Sequence, residues 1–151
     1  MLFGNIIDGV MELNGYGRIV QSEIESISAQ YENISIDTYV IMPNHVHCIV
    51  RIVGTGLAPV REGKETQPEN RTTARVVPTV PGIIGALKSK IANVALMNHK
   101  NGSDNYLGKI WQRSYHDHII RGETEYAKIC EYINSNPQNW NHDCFFSKSV
   151  Y

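Results

Sequence analysis

The chain has 151 residues, of which 42% are apolar and 19% charged, and its formal net charge is −1. That size and balance suit one globular domain with a core of its own, and they exclude a chain that needs disulfide or metal staples to fold. Near-neutrality also excludes holding nucleic acid by bulk attraction alone.

Cys48, Cys130 and Cys144 are an odd number with no CxxC spacing, which reads as reduced thiols in a cytoplasmic chain. The first residues have no secretory layout and no apolar run reaches the length of a bilayer, so no membrane partner is expected. Charge is unevenly placed: residues 1–37 carry six acids and one base, residues 81–121 six bases and two acids. The basic half could follow phosphates or could simply be solvated helix surface.

In chain order, Leu2–Ile7 and Val10–Leu13 flank Asp8-Gly9, a two-residue hairpin signal. Tyr16, Val20, Ile24, Ile27 and Tyr31 recur at helical steps and predict a helix that covers a sheet. Ile34–Met42 reads as a strand, Pro43-Asn44 as a turn and His45–Val53 as the antiparallel return. Residues 54–80 hold glycines, prolines and charges without apolar periodicity, which predicts a long flexible loop inside one domain. A second helix opens at Pro81-Gly82 and carries the stripe Ile84, Leu87, Ile91 and Val94, ending near Asn98. Lys109–Ile120 reads as a strand and Glu123–Ser135 as a final helix, stopped because Pro137 disfavours helix at Asn136. Trp140, Phe145 and Phe146 predict a docked tail. The order of elements gives an α+β class with an antiparallel sheet.

The most informative stretch is Met42-Pro43-Asn44-His45-Val46-His47 with its apolar continuation. Side chains alternate along a strand, so His45 and His47 share one sheet face while Val46 and Cys48 turn to the other. Two neutral imidazoles side by side can bind a divalent cation or hold a phosphate, although the same pattern occurs on solvated edge strands. A nucleotide hydrolase built on alternating histidines would need a third one where Ile49 stands. His116 and His118 repeat the spacing on the late strand and could be a second pair or a decoy.

Together with Trp111-Gln112-Arg113-Ser114-Tyr115-His116-Asp117-His118 and Glu131-Tyr132-Ile133-Asn134-Ser135-Asn136-Pro137, this stretch resembles the single-tyrosine HUH transposases, in particular their REP-associated branch. The resemblance implies a ferredoxin-like antiparallel sheet with helices on one face and an extra C-terminal catalytic helix. It further implies Tyr132 as nucleophile and His45, His47 and Asn136 as ligands of Mg²⁺ or Mn²⁺. The implied activity is cleavage and transfer of single-stranded or hairpin DNA through a 5′-phosphotyrosine, by a monomer or homodimer. Lys88, Lys90, Arg113 and Arg121 are the expected DNA contacts, with Trp111 and Tyr115 as core aromatics. Tyr39, Tyr106, Tyr115 and Tyr126 are rival nucleophiles without the four-residue offset that Tyr132 has to Asn136. A cleavage-inactive hairpin-binding module is the other reading.

In a ferredoxin-like core the first strand lies in the middle of the sheet, between the His45–Val53 and Lys109–Ile120 strands. Only the short Leu2–Ile7 segment could fill that slot, and its Gly4 and Asn5 make it a weak strand. The expectation is that the chain starts inside a longer gene product or comes from a decayed copy, or else that its N-terminal segment or a neighbouring subunit occupies the gap.

Overall fold

A computed structural model describes residues 1–53, 79–102, 109–143 and 145–146. The expected loop at 54–80 therefore lies almost wholly outside the described residues.

Strands β1 (Gly4–Ile7) and β2 (Val10–Leu13) pair antiparallel, with Ile7 opposite Val10. The turn between them puts Asp8 at φ 51° and Gly9 at φ 76°. Two successive left-handed residues match the right-handed twist of the flanking strands. Helix α1 (Gly15–Gln30) starts where the Asn14 side chain accepts the Gly17 N–H at 3.0 Å. Tyr16, Val20, Ile24 and Ile27 are its buried stripe. Strands β3 (Ile34–Ile41) and β4 (Val46–Ile52) form a second antiparallel pair, closed by the Pro43-Asn44 turn, in which the Met42 N–H meets the His45 carbonyl at 2.8 Å.

Helix α2 (Val80–Lys100) is capped by Thr79 and buries Ile83, Ile91 and Ala95. It is long and apolar enough, by length and composition alone, to cross a membrane. One stripe of it enters the protein's own core, where Ile91 and Ala95 join Phe3, Val20, Ile24 and Ile41, and Ile83 joins Ile27 and Ile34, while Val94 and Met97 stay exposed. Helix α3 (Glu123–Ser135) follows an irregular segment.

The β3–β4 pair is thus covered on both faces by different chemistry. On one face α1 packs against β3 through apolar side chains, with α2 beyond it. On the other, α3 approaches β3 through polar groups: the Tyr126 hydroxyl donates to Asp37 at 3.3 Å, and Arg51 Nε donates to the same carboxylate at 2.7 Å. The Arg51 bond is the main cause that holds the Asp37 carboxyl below its ordinary pKa.

The class is α+β, as the sequence indicated. The single continuous sheet is not formed: among the described residues there are two separate two-stranded sheets. The segment expected as a strand at Lys109–Ile120 is irregular, with bends at Trp111 and Arg113, and joins no ladder. Its acceptors are taken by a side chain instead, since Lys88 Nζ donates to the Gln112 carbonyl at 3.1 Å and the Ser114 carbonyl at 3.0 Å. The N-terminal hairpin does not fill a central slot either, because β1 pairs with β2 alone. What the N-terminus does provide is a prop. Phe3 is fully buried, its N–H donates to the Pro43 carbonyl at 2.9 Å and its carbonyl accepts from Asn14 N–H at 3.0 Å. Gly17 lies so close that a β-carbon there would sit 2.2 Å from the Phe3 carbonyl oxygen.

Candidate metal and nucleophile site

His45 leaves the Pro43-Asn44 turn and His47 follows on β4, so the pair sits where the turn is propped by Phe3. Both side chains turn to the α3 face. Their Nε2 atoms are 3.0 Å apart and the rings meet edge to face. Two donors each about 2.1 Å from a shared ion are roughly 3 Å apart when they subtend a right angle, so the pair fits one divalent cation.

The tautomer of His45 can be read from its neighbours. Asn44 Nδ2 donates to the Phe145 carbonyl at 2.8 Å, which fixes the amide's orientation and turns its Oδ1 to His45 Nδ1, also at 2.8 Å. An acceptor there keeps the proton on Nδ1 and leaves the Nε2 lone pair for a ligand. Burial, then the neighbouring His47, push the His45 pKa down to about 4, against a smaller opposing pull from Asp143. Burial also lowers that of His47. Neutral imidazoles at neutral pH are the form that binds metal.

Helix α3 brings Tyr132 to the pair. Its ring lies 5.4 Å from that of His47, edge to face, and the residue is 51% exposed. A nucleophile must be reachable by its substrate, and this one is. Asn136 continues the helical conformation past Ser135, so it falls one turn beyond Tyr132, on the same side. It is the one buried polar residue among those described (3% exposed), and its Nδ2 has no partner. An amide's two ends differ only in what they bond, and the reversed amide would present Oδ1, a hard oxygen ligand, from the same buried position. Two imidazoles facing one another can hold one divalent cation, and the unpartnered amide of Asn136, one helical turn beyond Tyr132, is of a kind that could supply an oxygen ligand.

Reading from the sequence missed a third group. After α3 the chain makes a 3-10 turn at Trp140–His142 and folds back over the histidines. The Phe145 ring is 4.8 Å from that of His45, and the buried Trp140 ring 6.1 Å. This return carries Asp143 to the pair, with Oδ2 3.9 Å from His45 Nε2. One ligand atom from each of His45, His47 and Asp143 lies within 4.8 Å of the others. The three apolar aromatics of the tail were legible as a docking signal; the carboxylate between them was not.

The remaining candidates fall away from the pair. Tyr39 donates to Glu25 of α1 at 2.8 Å, and Tyr126 to Asp37. Tyr115 lies under Lys88 Nζ, 5.9 Å from its ring centre, and Tyr106 lies outside the described residues. Lys88 and Lys90, expected to meet DNA, have partners within the chain: Lys88 the two carbonyls above, Lys90 the Gln30 amide oxygen and Glu23. Arg113 and Arg121 are exposed on the irregular segment, and His118 pairs with Glu125 at 2.8 Å. On the opposite face from His47, burial pushes the Cys48 thiol up to about 11, so it is protonated and inert.

Fold and site define an α+β protein that sets a strand-borne pair of histidines against a tyrosine on a helix. The chain belongs to the family of an uncharacterized protein of Haemophilus influenzae: the two are 34% identical over 146 residues, a match covering 94% of this chain and 76% of that protein. No family model and no solved structure matches the chain.

Proposed function

We propose that this protein is a metal-dependent single-stranded DNA endonuclease and strand transferase of the HUH transposase type, acting on hairpin DNA in the cytoplasm as a monomer or homodimer. The observation that carries the reading is the approach of Tyr132 to the facing imidazoles of His45 and His47. A phenol beside a cation-binding pair is placed for attack on a phosphate that a cation there would hold.

In the reaction, the Tyr132 oxygen attacks phosphorus, loses its proton to solvent and forms a 5′-phosphotyrosine. The bond from phosphorus to the 3′ oxygen breaks, and that oxygen takes up a proton as a free hydroxyl. Mg²⁺ or Mn²⁺, when bound, polarises the phosphate and stabilises charge on the leaving oxygen. His45, His47 and Asn136 would hold that ion, and α3 carries both Tyr132 and, at its C-terminal cap, Asn136, one turn apart. Arg113 and Arg121 supply phosphate contacts; Lys88 stiffens the segment that bears them rather than touching DNA.

The test is to incubate the chain with single-stranded palindromic hairpins and Mn²⁺ and look for a covalent adduct that survives denaturation. Wild type should form it and Tyr132→Phe should not, while both bind the hairpin. Hairpin binding with no adduct from wild type would make the protein a binding module without cleavage.

A further inference from the structure

The tail's carboxylate has no role in the reaction above, yet it is placed where a ligand would be. Its side chain is only 4% exposed. One oxygen, Oδ1, accepts the Phe145 N–H at 2.7 Å. The other, Oδ2, faces His45 Nε2 at 3.9 Å. That is too far for a hydrogen bond. It does fall within the span of two donors around one ion, which runs from about 3 Å for neighbours to about 4.2 Å for opposite positions. A carboxylate that merely oriented His45 would sit at Nδ1, and Asn44 already occupies that side. A largely enclosed carboxylate oxygen that faces an imidazole nitrogen from beyond hydrogen-bond reach gains from a cation placed between them.

We propose that Asp143 is a ligand of the same ion, so that a carboxylate from the C-terminal return joins the two histidines and the Asn136 amide. This rests on His45 and His47 being ion ligands, as in the reading above. Two consequences follow from the chemistry. With two imidazoles and a carboxylate, the set favours divalent transition ions such as Mn²⁺ over Mg²⁺, which holds its water and prefers oxygen. Because the carboxylate sits on the tail, ion binding and docking of residues 140–146 stabilise each other to the same extent.

The experiment is Mn²⁺ binding to the DNA-free full chain, read from the free-ion paramagnetic resonance signal, with Mg²⁺ as competitor. Asp143→Asn keeps the acceptor for Phe145 N–H and removes only the charge. It should weaken Mn²⁺ binding by about tenfold or more, His47→Ala at least as much, and Tyr132→Phe not at all. Mg²⁺ should compete poorly with wild type. A second measurement needs no variant: saturating Mn²⁺ should slow hydrogen exchange at the Phe145 and Phe146 amides of the wild-type protein. Unchanged affinity in a folded Asp143→Asn protein, or unchanged exchange in wild type, would overturn the proposal; if that variant does not fold, the exchange result alone decides. Adduct formation is a separate assay. Asp143-dependent Mn²⁺ binding without any adduct removes the nuclease reading and keeps this one, and an adduct with Asp143-independent binding does the reverse.

Discussion

The chain contains the same spacing twice, His45-Val46-His47 and His116-Asp117-His118, and the two pairs have different fates. The first is mounted at the start of β4, whose ladder to β3 fixes the backbone. It is propped by Phe3 beneath the turn and covered by Trp140 and Phe145. The second lies on an irregular segment without a ladder, with both imidazoles exposed and His118 paired to Glu125 at the start of α3. Residue types and spacing are identical, so neither makes a site. What distinguishes the first pair is a backbone fixed by a ladder and a cover of aromatic side chains, which together hold the two Nε2 atoms 3.0 Å apart and half-buried.

The largest effect that would sharpen this contrast is on adduct formation. Tyr132→Phe and His47→Ala should each abolish it, whereas His116→Ala and Tyr126→Phe should leave it near the wild-type yield on a denaturing gel. Loss of adduct from His116→Ala with hairpin binding intact would give the second pair a part in the chemistry and break the comparison.

Next in size is the prop. Gly17→Ala places a β-carbon against the Phe3 carbonyl with no side chain to yield, and should cost about 1–3 kcal/mol in urea unfolding, the usual range for overpacking. Mn²⁺ affinity should fall with it, since the His45 turn hangs from Phe3. Stability lost with affinity unchanged would show that the β3–β4 ladder alone holds the pair.

The pH dependence tests the first pair more gently. His45 titrates near 4 when folded against an ordinary 6.5, so between those values the unfolded chain binds a proton the folded one refuses. Stability should therefore rise with pH across that window and gain nothing more from this group above it. In metal-free protein, His45→Asn should flatten the rise in Tm, and an unchanged rise would show that another group carries it.

The smallest effect concerns Glu125, whose carboxylate accepts from the Arg121 N–H and pairs with His118; these two contacts, the backbone one first, hold its pKa below the ordinary value. Glu125→Gln should lower Tm only slightly and leave the adduct unchanged, because an exposed pair at a helix start is screened by water. A large loss of adduct would mean that the start of α3 sets the position of Tyr132.

Where local pattern and environment agreed, the sequence was legible. α3 runs over the predicted Glu123–Ser135, Val10–Leu13 is a strand as read, and Asp8-Gly9 makes the turn. The late segment was misread because Trp111, Tyr115 and the histidines alternate like a strand, while nothing in a linear pattern says that Lys88 will take its carbonyls. His45, His47 and Tyr132 are legible through the family resemblance, the strand period adding only that both imidazoles share a face; the structure brings the three side chains together. Asp143 is not: it reaches the pair only through the angle at which the chain leaves α3 and the 3-10 turn that follows.

The bond from Asn44 to Phe145 joins residues 101 apart in sequence. During synthesis the histidine turn is made well before Phe145, with α2 and α3 in between. The contact that orients His45 therefore forms only after α3 and the 3-10 turn have been synthesised, so the turn can pair as β3–β4 before His45 acquires its final partner.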